Sequence, residues 1–315
     1  MNTYVIGHVK PDLDSVVAAF AAEYLFTHKS AYQREAAKAV IAEEINNETR
    51  YVFERFRVNS PDILTEAMID DDTRFVLVDH NEEAQRSELV SPEKIVEIID
   101  HHKFNINFNK AMFITAKTWG STSTIIWWMM RNEGIVPTKE LASLMLCAIL
   151  SDTVGLRSSL TTEWDKKYAD ELAKIAEIND VDALTLDIFK AKSNIDNLTP
   201  QEIVTNDYKV FDFASKKVLI GIVETVEQDV VLGRRDELIK AMHEVREHES
   251  VDLIFCVVSD ILKFNSKIIF TSEEEKQIAL KAFPDASEAG NLTLDIGPRI
   301  SRKKEIAPPI EQALN

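Results

Sequence analysis

The sequence predicts an α/β protein of two domains, a larger N-terminal domain with a mainly parallel sheet flanked by helices and a smaller C-terminal α/β domain. Three observations lead there. Apolar runs at Thr3 to Ile6, Phe75 to Val78 and Ile95 to Ile99 are short and unbroken, the mark of strands buried on both faces and hence parallel. Helical patterns separate or follow them, as in α/β folds. After a polar stretch of little periodicity, residues 190–199, strand and helix patterns start again. A chain of 315 residues is also long enough for two domains.

In order along the chain, the first strand stops at Gly7. A helical pattern then starts near Ser15, a plausible N-cap residue, and runs through Val16, Phe20, Tyr24 and Leu25. Further helical patterns are expected over residues 31–56, 122–131, 139–150 and 163–177. Trp127, Trp128, Met129 and Met130 are read as packing on a buried helix. Beyond the polar stretch come a strand at 217–223, a helix around 235–247, strands at 253–258 and 267–270, and a helix from Glu273. The expected division is 1–190, a linker at 191–199, and 200–315.

Lys and Arg number 36 and Asp and Glu 53, for a net charge of 36 − 53 = −17. That balance argues against broad contact with nucleic acid, whose phosphates reward basic surfaces. With 45% hydrophobic residues, disorder is not expected as the main state, and 8 glycines exclude a collagen-like chain. No run reaches about 18 apolar residues, so no membrane span is expected. The N-terminus lacks the basic start and apolar stretch of a signal peptide. Cys147 and Cys256 lie in apolar runs and read as buried thiols. The expected location is cytoplasmic.

Acidic and histidine residues gather where apolar runs end. The first strand leads into His8, Asp12, Asp14 and Ser15, the second into Asp79-His80-Asn81-Glu82, the third into Asp100-His101-His102. The run Leu144 to Leu150 ends in Ser151-Asp152-Thr153. Ligands of open parallel sheets bind outside the carboxyl ends of the strands. Crowded carboxylates repel unless cations lie between them, and neutral imidazoles complete such a site. His8, Asp12, Asp14, Asp79, His101 and Asp152 are the candidate ligands. Six are too many for one catalytic ion with an open position but suit two ions sharing a carboxylate. Magnesium prefers oxygen ligands and water, whereas imidazole favours later transition metals. With mixed His and Asp donors, manganese, which tolerates both, is a candidate and cobalt would also fit, with magnesium a further candidate alongside substrate. A second cluster, Ser301-Arg302-Lys303-Lys304 before Pro308-Pro309, is a candidate anion clamp beside a Pro-stiffened turn.

These motifs resemble the DHH phosphoesterase superfamily, through Asp100-His101-His102, and within it the family II, manganese-dependent inorganic pyrophosphatases. That family's GH-x-x-PD-x-DS segment is matched by Gly7, His8, Pro11, Asp12, Asp14 and Ser15. Its DHNE is matched by Asp79 to Glu82, its SDT by Ser151 to Thr153, and its SRKK by Ser301 to Lys304. The motifs stand in order over nearly the whole chain.

The resemblance implies hydrolysis of pyrophosphate by two metals with a bridging hydroxide, in a cleft between the two domains. It implies one ion on His8, Asp12 and Asp79, and a second on Asp14, Asp79, His101 and Asp152. His102, Arg302, Lys303 and, on a less sharp match, Lys209 would contact substrate phosphate. It also implies a homodimer. The N-terminal domain would hold the metals and the C-terminal domain the substrate. Leu13 stands where the family has a small hydroxyl residue, so the loss of a hydrogen bond behind the ligands is expected. Val9 and Lys10 differ too, without loss of a ligand. Rival readings are a short-chain polyphosphatase, which would share metals and fold, and a DHH-type exonuclease or nano-RNase, disfavoured by the absence of a GGGH-like motif.

Overall fold

The computed structural model describes residues 2–28, 36–195 and 198–315. Residues 31–35 of one expected helix and residues 196–197 of the expected linker lie outside them. The chain divides into two units, Met1–Ala191 and Lys192–Asn315.

The first unit contains β1 (Thr3–Ile6), α1 (Leu13–Thr27), β2 (Ala37–Ile41), α2 (Asn47–Arg55), β3 (Asp62–Ile63), β4 (Arg74–Val78), β5 (Ile95–Asp100) and β6 (Phe113–Ala116). Four helices follow: α3 (Thr122–Asn132), α4 (Lys139–Asp152), α5 (Glu163–Ala176) and α6 (Val181–Lys192). The six strands pair in the order β3-β2-β1-β4-β5-β6, all parallel. The chain leaves β1 for β2 on one side and returns to β4 on the other. The switch point therefore lies between β1 and β4, where such sheets bind ligands.

Alternating side chains bury both faces. Val5, Val76, Val78 and Ile99 pack with the apolar residues of α1, α3, α4 and α5. Tyr4, Ile6, Phe75, Leu77 and Ile98 pack under Leu64, Val90, Phe104 and Phe108, which come from connecting segments rather than from long helices.

In this unit two expectations are corrected. The helix read over 31–56 is not one element. Among its described residues the Ala-rich stretch is β2, because pairing beside β1 outweighs helix propensity, and only α2, capped by Asn46, is helical. Nor does α1 start at Ser15. Asp12 is its N-cap and accepts from Ser15 N–H at 2.9 Å. Leu13, in the first turn, is wholly buried in the apolar core. It contributes packing to α1, not polarity to the ligands beside it.

The second unit contains α7 (Pro200–Thr205), β7 (Tyr208–Phe213), β8 (Lys216–Thr225), α8 (Gln228–Gly233), α9 (Arg235–Glu249), β9 (Leu253–Asp260), β10 (Asn265–Ile269), α10 (Glu273–Ala282), β11 (Ser287–Glu288), β12 (Thr293–Gly297) and α11 (Ala307–Leu314). Its sheet is mixed, in the order β11-β12-β10-β9-β8-β7, with only β8 and β9 parallel. Leu219, Ile254 and Cys256 pack with α7 and α9 on one face, and Ile220, Phe255 and Val257 with α10 and α11 on the other. Pro308 and Pro309 do not stiffen a free turn. They open α11, where a missing N–H costs nothing. Both cysteines are buried and free. No described helix is long and apolar enough to cross a membrane.

Candidate metal centre and cationic cluster

The ends of β1, β4 and β5 and the last turn of α4 bring the six candidate ligands together. Ligand atoms of His8, Asp12 and Asp79 lie within 4.8 Å of one another, as do those of Asp14, Asp79, His101 and Asp152. Asp79 belongs to both groups. Its Oδ2 is 3.5 Å from His8 Nε2 and its Oδ1 3.3 Å from His101 Nε2.

Four of the six donors, His8, His101, Asp79 and Asp14, are held from behind, and Asp12 accepts from Ser15 N–H. His8 Nδ1–H donates to Val9 O at 2.8 Å, which turns Nε2 toward the carboxylates. His101 Nδ1–H donates to Trp119 O at 2.9 Å. Asp79 has a left-handed backbone, φ 62°, with its N–H bonded to Ile99 O at 3.0 Å. Such a conformation in a non-glycine residue is costly and gathers at functional sites. Asp14 accepts from Ser121 Oγ–H at 2.8 Å, Thr122 N–H at 2.7 Å and Ser123 N–H at 3.0 Å. The N-terminus of α3 thus cradles a carboxylate, as helix N-termini do. Thr122 Oγ–H also reaches Asp79 Oδ1 at 3.0 Å.

The electrostatics are those of a site built around positive charge. Burial raises Asp14, and Asp79 adds to it, so the acid is pushed up to about 6 despite the donors of α3. Burial and the neighbouring Asp14 push Asp152 well above the usual carboxylate range. Burial disfavours a charged His8, but Asp12 and Asp79 outweigh it and push the imidazole up to about 11. His101 is likewise pushed up to about 9, chiefly by Asp79 acting against burial. Asp79 itself is held low: its two imidazole partners overcome burial. His101 Nε2 is buried with no hydrogen-bond partner, although Asp79 and Asp152 crowd it. Imidazole nitrogens and carboxylates competing for too few protons fit a pair of divalent cations.

His102 stands at the rim. Its Nδ1–H donates to Asp100 Oδ1 at 3.0 Å, which leaves Nε2 for an outside partner. Asn81 completes the support: it donates to Asp100 Oδ2 at 2.6 Å and accepts from Asn105 N–H at 2.8 Å. Sequence reasoning assigned no role to Asn81, nor to Ser121, Thr122 and Ser123. The run Ser121 to Thr124 before apolar Ile125 is a helix-start signal that would have drawn attention to the latter. Burial lowers His80 to about 4 and keeps its imidazole neutral, with Nδ1–H donated to Val78 O at 2.9 Å. His80 belongs to none of the described ligand groups. Lys10 is exposed and left-handed, φ 52°, with its N–H on Glu43.

In the second unit, Arg302 and Lys303 lie in a π-turn, Arg302–Ile306, entered from Ser301. Glu305 closes it by accepting from Ile300 N–H at 3.0 Å and Ser301 N–H at 2.8 Å. Arg302 donates to Asp207 O and Asp207 Oδ1, both at 2.8 Å. Two residues on, exposed Lys209 stands on β7 with Nζ 5.3 Å from the Phe211 ring centroid.

Family models match at both ends, the DHH family N-terminal domain over residues 2–149 and the DHHA2 domain over residues 186–313. A manganese-dependent inorganic pyrophosphatase of Methanothrix thermoacetophila is 36% identical over 99% of this chain and 98% of the relative. One from Methanocaldococcus jannaschii is 34% identical over 99% of each. A Methanococcus jannaschii crystal structure given as a candidate family II inorganic pyrophosphatase shares 33% identity and superposes with a TM-score of 0.63 over 99% of both chains. An exopolyphosphatase-related protein from Bacteroides fragilis, 16% identical over 99% of this chain and 91% of that one, shows likeness of fold alone at a TM-score of 0.50. With matches of this extent and motifs in this order, the chain belongs to the manganese-dependent, family II inorganic pyrophosphatases.

Proposed function

We propose that the protein hydrolyses inorganic pyrophosphate to two phosphates. The observation that carries this reading is Asp79, one carboxylate common to two donor groups at the switch point of the sheet. One ion would sit on His8, Asp12 and Asp79, the other on Asp14, Asp79, His101 and Asp152. Manganese is named in the relatives; cobalt would substitute, and magnesium would serve with substrate. Bound there, two such ions would neutralise substrate charge and lower the pKa of a water between them.

The protein's own groups do the rest. The α3 N-terminus and Thr122 keep Asp14 and Asp79 oriented. Asp100 holds the His102 ring so that Nε2 meets a phosphate oxygen. Arg302, Lys303 and Lys209 supply positive charge to phosphate oxygens, with Arg302 aimed by Asp207. In this reading residues 1–190 are the metal-binding domain, 191–199 the linker and 200–315 the substrate-binding domain. A cytoplasmic location, supported by two free thiols, and a homodimer, supported by family membership, belong to it as well.

The test is phosphate release by metal-stripped protein restored with manganese, cobalt or magnesium. Pyrophosphate, tripolyphosphate and a dinucleotide are compared. Turnover of pyrophosphate alone, fastest with manganese or cobalt, is the expected result. Cleavage of only the longer chain or the dinucleotide would move the substrate while keeping the metal centre.

A further inference from the structure

We propose that the aromatic cluster around Trp119 is a positioning device for the His101 imidazole, an inference that rests on the metal-centre reading above. Among the described residues, the hydrogen bond that orients the ring from behind is to Trp119 O, 2.9 Å from His101 Nδ1. That carbonyl belongs to the connection between β6 and α3, which has no regular structure of its own. Its position therefore depends on what grips the connection from outside.

Two grips come from α5. The Trp119 ring packs on Trp164 and Tyr168, with centroids 5.6 and 6.0 Å away, and edge-on against Trp128 of α3 at 6.1 Å. The main chain is held at the next residue, where Gly120 N–H donates to buried Asp165 Oδ2 at 2.9 Å. There is no slack at that point. A Cβ on Gly120 would lie 2.6 Å from Thr153 Cγ2 and 3.0 Å from Asp165 Oδ2. Lys117 Nζ lies 4.6 Å over the Trp128 ring and 5.9 Å over Trp119, tying the start of the connection to the same cluster.

Trp164 is 44% exposed, so filling the core does not account for it. Its face is spent on Trp119 and Tyr168. None of these aromatic residues is a donor in the candidate centre. They act on it through one carbonyl, the kind of support whose loss lowers metal affinity about 10- to 100-fold.

The test uses the full-length protein, stripped of metal and titrated with Mn2+ by calorimetry, for the parent, Trp119→Leu, Trp119→Phe and Trp164→Ala. Trp119→Leu should weaken one of two ions about tenfold, the one assigned to Asp14, Asp79, His101 and Asp152, and leave the other within about twofold. Trp164→Ala should weaken the same ion by less, and Trp119→Phe should restore it. In the metal-free protein, the 15N shift of His101 Nδ1 should move in Trp119→Leu while those of His8 stay. Unchanged affinities, or both ions weakened in parallel with lower thermal stability, would overturn the proposal. A parent protein that binds no Mn2+ would overturn the metal-centre reading and this inference with it, a result distinct from either.

Discussion

Arg302 is docked on Asp207 by two hydrogen bonds of 2.8 Å, one to the main-chain oxygen and one to the carboxylate. The same main-chain oxygen accepts from Ile222 N–H at 2.8 Å, so the guanidinium rests on a point fixed by the β7–β8 ladder. An arginine held this way keeps its planar fork oriented before a phosphate arrives. In Asp207→Ala, KM for pyrophosphate should rise about three- to tenfold, as expected for one charge-assisted contact. The Asp207 side chain is 58% exposed, so thermal stability should change by less than about 1 kcal/mol. Steady-state kinetics beside a melting curve would check both. An unchanged KM would mean that the pair does not serve substrate.

Asp79→Asn removes charge from both donor groups without a large change of shape. Asparagine tolerates the left-handed backbone found there, so the variant tests charge rather than conformation. Turnover should fall about 100-fold or more, and manganese should bind less tightly at both positions. Near-normal turnover in this variant would count against sharing of Asp79.

Metal removal should expose a pH-dependent loss of stability. The folded-state pKa of Asp14 is raised to about 6 and that of His101 to about 9. Raised values favour the folded protein below the unfolded pKa, and that contribution is lost as pH rises through the folded pKa. His80, lowered to about 4, acts in the opposite sense below about pH 6.5 and offsets Asp14. The metal-free protein should therefore melt at progressively lower temperature between about pH 6.5 and 9. Because ligands must shed these protons, manganese affinity should increase over the same range. Melting curves with and without Mn2+, together with calorimetry in buffers of different ionisation enthalpy, would measure the released protons. A metal-free melting temperature that rises toward pH 9 would contradict the assignment.

Gly7→Ala should harm both fold and site. A Cβ there would lie 1.9 Å from Ser15 Oγ and 2.8 Å from Ser15 O, a main-chain atom of α1. His8 N–H donates to that same hydroxyl at 3.0 Å, so relief of the clash displaces His8. The expected cost is about 1–3 kcal/mol, with weaker manganese binding beside it. Denaturant unfolding of the metal-free variant is the check, and a stability equal to that of the parent would disprove the close approach.

The strands of the first sheet were legible because Phe75 to Val78 and Ile95 to Ile99 are continuously apolar, a pattern set by burial on both faces. β2 was not legible. Its Ala-Lys-Ala-Val-Ile stretch suits a helix as well as a strand, and only the row of hydrogen bonds beside β1 decides between them. Ser15 read as a cap because its hydroxyl is the right chemistry, but Asp12 is three residues earlier and takes the position. The prolines after Lys304 read as a stiff turn, although the same fixed φ also starts a helix.

By itself the sequence determined the donor types, their grouping at the ends of apolar runs and the family, because each motif is a short stretch whose chemistry does not depend on distant partners. Only the tertiary structure decided how those donors are aimed. Thr122 N–H meets Asp14 across 108 residues, and His101 leans on a carbonyl set by rings of α3 and α5. Such contacts arise from parallel pairing and helix packing between remote segments, and no local window of sequence carries them.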